Sequence, residues 1–166
     1  MVEFAVNTHR LDPYKSFKFR VVLDGKFVPG VSKVSVLARR TEPISYRSGG
    51  SVSSPVKAPG TTTFDPIRLE RGVTHDQAFE DWANLAFNVR GDAEMSLRKF
   101  RKDMAIELLN QQGTVVLRYL VRRCWVVEYQ ALSELDANAN GVAIESIVLE
   151  HEGFERDSSV AEPAET

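Results

Sequence analysis

The segment Val115 to Tyr129, VVLRYLVRRCWVVEY, constrains the fold more than any other, because it alternates over fifteen residues. Its odd positions are Val115, Leu117, Tyr119, Val121, Arg123, Trp125, Val127 and Tyr129, an almost wholly apolar face. Its even positions mix Arg118, Arg122 and Glu128 with Val116, Leu120, Cys124 and Val126. Extended at about 3.3 Å per residue, such a run reaches ~50 Å, whereas a compact domain of this length is only about 40 Å across. The strand must bend, or lie in something larger than one folded chain. Arg123 breaks the apolar face, and an unpaired buried charge there would cost several kcal/mol. Either Glu107 or Glu145 pairs with it across a sheet, or a bulge near Arg122-Arg123 turns it outward and supplies the bend.

A chain of 166 residues is long enough for one domain with its own core. The lone Cys124 excludes an internal disulfide framework, and no apolar stretch follows Met1 that could act as a signal peptide or membrane span. This points to a reducing compartment. With 21 Lys and Arg against 23 Asp and Glu, the overall charge gives no reason to expect nucleic acid or an anionic membrane as partner.

Mainly β structure is expected. Residues 1–15 carry Pro13 and no sustained period, and read as an arm that is ordered only if it docks. Ser16 to Leu23 alternates, with Phe17, Phe19, Val21 and Leu23 on one face, and Asp24-Gly25 supplies a turn. Val31 to Leu37 follows as a strand after Pro29-Gly30. Residues 38–66 are dense in Ser, Thr, Gly and Pro and read as one long extended loop with a short strand candidate at Ile44 to Arg47. A loop of that length inside a compact domain is usually functional or disordered. Ile67 to Glu70 is a brief strand, and a single helix is predicted around 75–88. Thr74 and Gln77 offer a capping box for it, and Phe79 and Trp82 lie on its apolar stripe as core contacts. Met104 to Asn110 and the long strand form a hairpin through Asn110 to Gly113, and Val142 to Glu152 is the last strand. Residues 158–166 are small and acidic and are expected to be disordered.

Catalytic constellations are not evident. Asp136 to Gly141 copies the first half of a calcium loop, but Ile147 stands where its bidentate Glu belongs, so a polar turn is the better account. His9, His75 and His151 lack metal-ligand spacing to one another or to Cys124, and Cys124 sits inside a strand. Neither a metal nor another cofactor is expected. The cluster Arg98, Lys99, Arg101 and Lys102 around Phe100 reads as a solvated connector or subunit-interface patch rather than a nucleic-acid site.

The residues do resemble a known family, the inner-tube or tail-tube proteins of contractile phage tails and phage-derived contractile injection systems. The resemblance is carried by Arg123 to Tyr129, Leu135 to Asn140, Val142 to Ile147 and the closing His151-Glu152-Gly153. Phe17 to Leu23, Leu69 to Gly72 and Trp82 add to it, and coverage runs from about Tyr14 to Arg156. One departure is Val126, where many members have proline; its amide is free for ladder pairing.

The resemblance implies two packed antiparallel sheets forming a sandwich or partial barrel, flanked by one helix. It implies a single tail-tube-like domain over residues 1–157, and homohexameric rings whose inner strands form one barrel around a lumen. Rings would stack through the loop 38–66, with Arg39, Arg40, Tyr46, Arg47, Ser48, Gly49, Gly50 and Lys57 as inter-ring residues. Arg118 and Arg122 are the expected lumen-facing residues. Partners would be further copies of the chain, a sheath protein, baseplate or spike and tube-terminator proteins, and a lumen cargo. The mechanism would be mechanical, with no catalysis, no direct nucleic-acid recognition and no membrane insertion by the monomer, in a particle assembled in the bacterial cytoplasm. A tube initiator joining tube to baseplate is the alternative within the same machine. A monomeric β-barrel binding a small ligand is the alternative from another class, and it predicts a monomer on sizing.

Overall fold

The computed structural model describes residues 4–50 and 53–166. Ten strands and one α-helix are present among them. Seven strands form one antiparallel path: β1 (Phe19–Leu23), β2 (Lys26–Val28), β3 (Val31–Val34), β6 (Ile67–Gly72), β7 (Lys102–Leu109), β8 (Val115–Gln130) and β9 (Ile144–Glu150). Their order is β2-β1-β7-β8-β9-β6-β3, with β10 (Phe154–Arg156) added beside β8. The end strands β2 and β3 are joined by Pro29-Gly30 alone. At about 3.8 Å per residue such a link brings the two ends of the path within roughly 11 Å. The sheet therefore rolls up into a partial barrel without closing. A separate hairpin, β4 (Arg39–Tyr46) with β5 (Val56–Phe64), completes the strands.

The long strand bends at Arg123. Lys102 lies opposite Cys124 and Met104 opposite Val121, so Asp103 faces both Arg122 and Arg123. Arg123 takes φ 54°, its amide bonds the Asp103 carboxylate, and its side chain points to solvent and pairs with Glu152. Neither Glu107 nor Glu145 is its partner: Glu107 holds Arg20 and Arg118, and Glu145 holds Arg71. Before the bulge β8 pairs with β7 and β10, and after it with β9, so one strand serves two sheets.

The continuous apolar face read from the alternation is not what forms. Each bulge reverses the parity, so Val121, then Cys124 and Val126 are buried, and a second irregularity at Val127 brings Tyr129 against the core. A left-handed residue costs about 1–2 kcal/mol unless it is glycine. Arg123→Gly is thus expected to leave stability unchanged or raise it by about 1 kcal/mol, while Arg123→Val lowers it, as chemical denaturation will read.

The opposite edge breaks at the same place. Arg122 donates its amide to the Gly153 carbonyl at 2.8 Å, and Glu152 donates to the Arg122 carbonyl at 3.0 Å. Gly153 has φ 140°, a conformation open to glycine, and it lets the chain pass from β9 to β10 around the corner that β8 makes. The sequence pattern stops at Glu152 and misses β10 for this reason. The three-residue β2 is also missed, and β3 is shorter than expected because the chain leaves the ladder after Val34.

Helix α1 (Ala78–Ala86) is shorter than the predicted 75–88, and the Thr74–Gln77 capping box does not form. The Asp76 carboxylate takes the Ala78 amide at 3.0 Å instead, while the Thr74 hydroxyl takes that of Asp76. Phe79 and Trp82 are fully buried in one core with Val21, Met104 and Val121 of one sheet and Ile67, Leu69, Ile147 and Leu149 of the other.

The acidic tail is not a free end. Glu162 accepts the backbone N–H groups of Ala5, Val6 and Asn7 at 2.8 to 3.0 Å, and the buried Asn7 side chain donates to Glu162 and Pro163. Arg10 pairs with Glu165 and lies over the rings of Phe4 and Tyr14. The arm gives the tail its partners, which composition cannot show. The Val6 amide, followed by those of Asn7 and Ala5 and the Asn7 side chain, holds the Glu162 carboxyl below the ordinary carboxylate range against partial burial. Its contribution is complete above the ordinary carboxylate value and is lost as pH falls through the lowered one. The amide resonances of Ala5 to Asn7 are therefore expected to shift with that midpoint in acid, and to stop doing so in Glu162→Gln.

Candidate functional site

The hairpin β4–β5 has no core of its own. Every residue of β4 is exposed, and β5 is exposed or half-buried throughout. At about 3.3 Å per residue the ladder extends roughly 26 Å, and an isolated two-stranded hairpin is marginal in water. Composition hides these strands, because Ser, Thr, Gly and Pro are poor strand markers and the pairing joins residues up to 25 apart, Arg39 with Phe64. Arg39, Arg40 and Tyr46 stand on β4 and Lys57 on β5, while Arg47 to Gly50 form the tip; all are exposed.

Pairing gives the hairpin two different faces. Ile44 lies opposite Ala58 and Tyr46 opposite Val56, which puts an apolar strip on one side; Ser45 and Lys57 share the other. A register shift between Thr41 and Pro43 lets Pro43 sit opposite Pro59. Gly60 lies beneath this irregularity: a Cβ there would stand 2.8 Å from the Glu42 carbonyl oxygen and 2.9 Å from Ile44 Cγ1. Gly60→Ala is expected to distort the hairpin while leaving the thermal midpoint of the body within about 2 °C, read by calorimetry beside amide shifts of residues 39–64.

The root of the hairpin is fixed firmly. Asp65 donates its amide to Ala38, its carboxylate pairs with Arg40 at 3.3 Å, and its carbonyl meets His151 Nε2 at 3.0 Å. His151 Nδ1 accepts the Gly153 amide at 3.2 Å, so the neutral ring carries its proton on Nε2 and donates it to Asp65. Phe64 packs on His151 and Phe154, and its ring lies against Gly153. His151-Glu152-Gly153 thus does two jobs: it turns the β9–β10 corner and clamps the hairpin. The motif carries no sign of this role in sequence, because the partner of His151, Asp65, lies 86 residues away.

Arg118 and Arg122 line an open groove of about 620 Å³ that no α1 residue reaches. Arg118 bonds Glu107 through Nε and Nη2 at 3.0 and 2.8 Å and meets Asp157 at 3.3 Å; Arg20 takes the other Glu107 oxygen. Burial pushes the Glu107 carboxyl up, but the hydrogen bonds from Arg20 and Arg118 outweigh it and hold the group below its ordinary value. Arg122 pairs with Glu155 and Asp103. Both arginines are compensated by carboxylates of the same chain.

Burial pushes the Cys124 thiol up to about 12, which removes it as a thiolate nucleophile. Among the described residues no three His, Cys, Asp or Glu side chains are grouped to hold a metal, and no helix is long and apolar enough to cross a membrane. Asp136 to Gly141 is a turn, in which the Asp136 carboxylate takes the Asn138 amide at 2.9 Å.

Solved structures carry the same fold. A chain of the PVC sheath–tube complex, an extracellular contractile injection system in its extended state, matches with a TM-score of 0.72 at 24% identity, over 87% of this chain and 91% of that one. A chain of the anti-feeding prophage tube-terminating cap gives 0.74 at 24%, over 93% and 99%. Hcp1 from Flavobacterium johnsoniae gives 0.53 at 15%, over 90% and 100%. No curated protein matches in sequence. The class is that of tail tube proteins. Residues 15–155 match the family of the T4-like virus tail tube protein gp19, and the chain belongs to that family.

Proposed function

We propose that the chain is the repeating subunit of an inner tube, forming homohexameric rings that stack inside a contractile sheath and are expelled through a target envelope. The observation that supports this best is the hairpin, a long exposed ladder that the chain's own core does not cover. On this reading residues 38–66 bridge one ring to the next, with Arg39, Arg40, Tyr46, Arg47, Ser48, Gly49, Gly50 and Lys57 at the contact. Arg118 and Arg122 face the lumen, where their carboxylate partners leave a mixed rather than purely basic wall. Sheath, baseplate and terminator proteins are the partners, by likeness to chains from such assemblies.

Electron microscopy of the purified protein, alone and co-expressed with a sheath protein, tests the reading. Six-fold rings and stacked tubes are expected; monomers throughout would defeat it. A second reading, an adaptor or terminator ring, draws on a TM-score of 0.75 to a chain of the PVC sheath/tube terminator. Copy number in the native particle separates the two, because a tube subunit outnumbers any single ring.

A further inference from the structure

We infer that the tip of the hairpin docks on the 131–143 connection of a second copy, so that a basic apolar finger meets an acidic apolar seat. This deepens the stacking reading above and rests on it.

The finger is defined by its exposed side chains. Ile44, Tyr46 and Val56 share one face and are 52%, 55% and 49% exposed. Residues 39–64 hold four cations and one anion, net +3, so the remainder of a chain of net −2 carries −5. Among the described residues Arg39, Arg47 and Lys57 form no ion pair.

The seat has the complementary character. Residues 131–143 hold Glu134 and Asp136 and no cation, and neither carboxylate meets a cation among the described residues. Leu135 and Val142 are 69% and 77% exposed and, with Glu134 and Asp136, line a shallow groove of about 490 Å³. The connection is held in shape before any partner arrives. Ile144 donates its amide to the Ser133 hydroxyl at 3.0 Å, Val73 donates to Ala143 at 3.0 Å, and Ala139 donates to Asp136 at 3.1 Å. A preformed seat loses less freedom on binding than a mobile loop would.

Topology places the root of the finger and the seat at opposite ends of the β6–β9 ladder. The hairpin is rooted at Asp65, two residues before Ile67, which pairs with Leu149. The 131–143 connection enters β9 at Ile144, which pairs with Gly72 at the far end of the same ladder. Six residues at about 3.3 Å separate the two ends by roughly 17–20 Å. Two different patches make a heterologous contact, and such a contact builds an open stack when its rotation does not close on itself. Opposite charges fix the direction of the stack and steer the approach, and salt screens them.

Charge exchange in the full chain tests the assignment. R47E/K57E is expected to leave single rings and abolish stacked tubes in micrographs, E134K/D136K to do the same, and the chain carrying all four changes to stack again. All four positions are exposed, and unfolding midpoints matching the wild type confirm that the variants fold. A second readout mixes Tyr46→Cys with Leu135→Cys protein, where oxidation should give a covalent pair only when both are present; the buried Cys124 stays out of the exchange. If E134K/D136K stacks normally, or the fourfold chain fails to recover and no covalent pair forms, the 131–143 seat is wrong while stacking stands. If R47E/K57E stacks normally, the hairpin is not the ring-to-ring contact and the seat falls with it; if the wild type stays as single rings at high concentration, the stacking reading itself falls.

Discussion

Arg71→Ala is expected to lower stability by about 3–5 kcal/mol, because it strands a buried carboxylate. Arg71 and Glu145 face each other across β6 and β9 and bond through Nε, both out of solvent. The rest of the guanidinium holds the lead-in to the helix: Nη1 meets the Asp76 carboxylate at 3.0 Å, Nη2 donates to the Asp76 carbonyl at 2.7 Å, and the group lies 4.3 Å from the Phe79 ring centre. One side chain thus ties two strands to α1. Glu145→Gln should cost less, since Asp76 still faces the guanidinium. The pair Arg71→Met with Glu145→Leu should recover most of the loss, because two apolar groups leave no buried charge unpaired. Urea unfolding of the wild type, Arg71→Met, Glu145→Leu and the double variant closes the double-mutant cycle. If the double variant is as unstable as Arg71→Ala, the damage comes from losing the Asp76 tether rather than from the stranded carboxylate.

Trp82→Ala carries the second large effect, about 3–5 kcal/mol from emptying a fully packed site. For a domain of this size that corresponds to a fall of roughly 6–20 °C in thermal midpoint. The indole fills space between α1 and both sheets, and its Nε1 donates to the Phe100 carbonyl at 2.8 Å. That bond, with the Ser96 amide on the Leu85 carbonyl at 3.0 Å, pins the connector from α1 to β7. Phe100 then meets Trp125 edge-on at 6.2 Å. Trp82→Phe keeps most of the volume and should cost about 1–3 kcal/mol for the unpartnered carbonyl. Calorimetry on the three proteins separates packing from the hydrogen bond.

The pattern of residues showed where strands and turns lie whenever the cause was local. Asp24-Gly25, with φ of 53° and 78°, and Gly113, with φ of 85°, turn the chain where glycine makes it easy. The overlong strand needed a bend, and Arg122-Arg123 was where a charge broke its apolar face. The buried pair was also legible in principle. Arg71 shares its parity with Ile67 and Leu69, and Glu145 shares its own with Ile147 and Leu149, so opposite charges occupy facing core positions. Neighbouring residues alone do not show that those two strands are adjacent.

Distance in sequence accounts for the rest. Asp76 accepts the Ala78 amide and caps the helix in place of the Thr74–Gln77 box, because Arg71 fixes Asp76 in position. Glu162 finds its partners 155 to 157 residues away, and His151 finds Asp65 86 residues away. The hairpin 39–64 reads as a loop in sequence because its strands, exposed along most of their length, lack the alternation that burial imposes.

By themselves the residues determined a mainly β chain with one amphipathic helix, a strand too long to stay straight, and membership of the tail-tube class through a few short motifs. Only the tertiary structure decided which face of that strand is buried, how two sheets share it, and that the Ser, Thr and Pro-rich stretch is an amphipathic hairpin clamped by His151. The reason is physical. Local propensity and periodicity act over a few residues, whereas a bulge, a buried ion pair and a docked tail exist only once distant strands have been brought edge to edge.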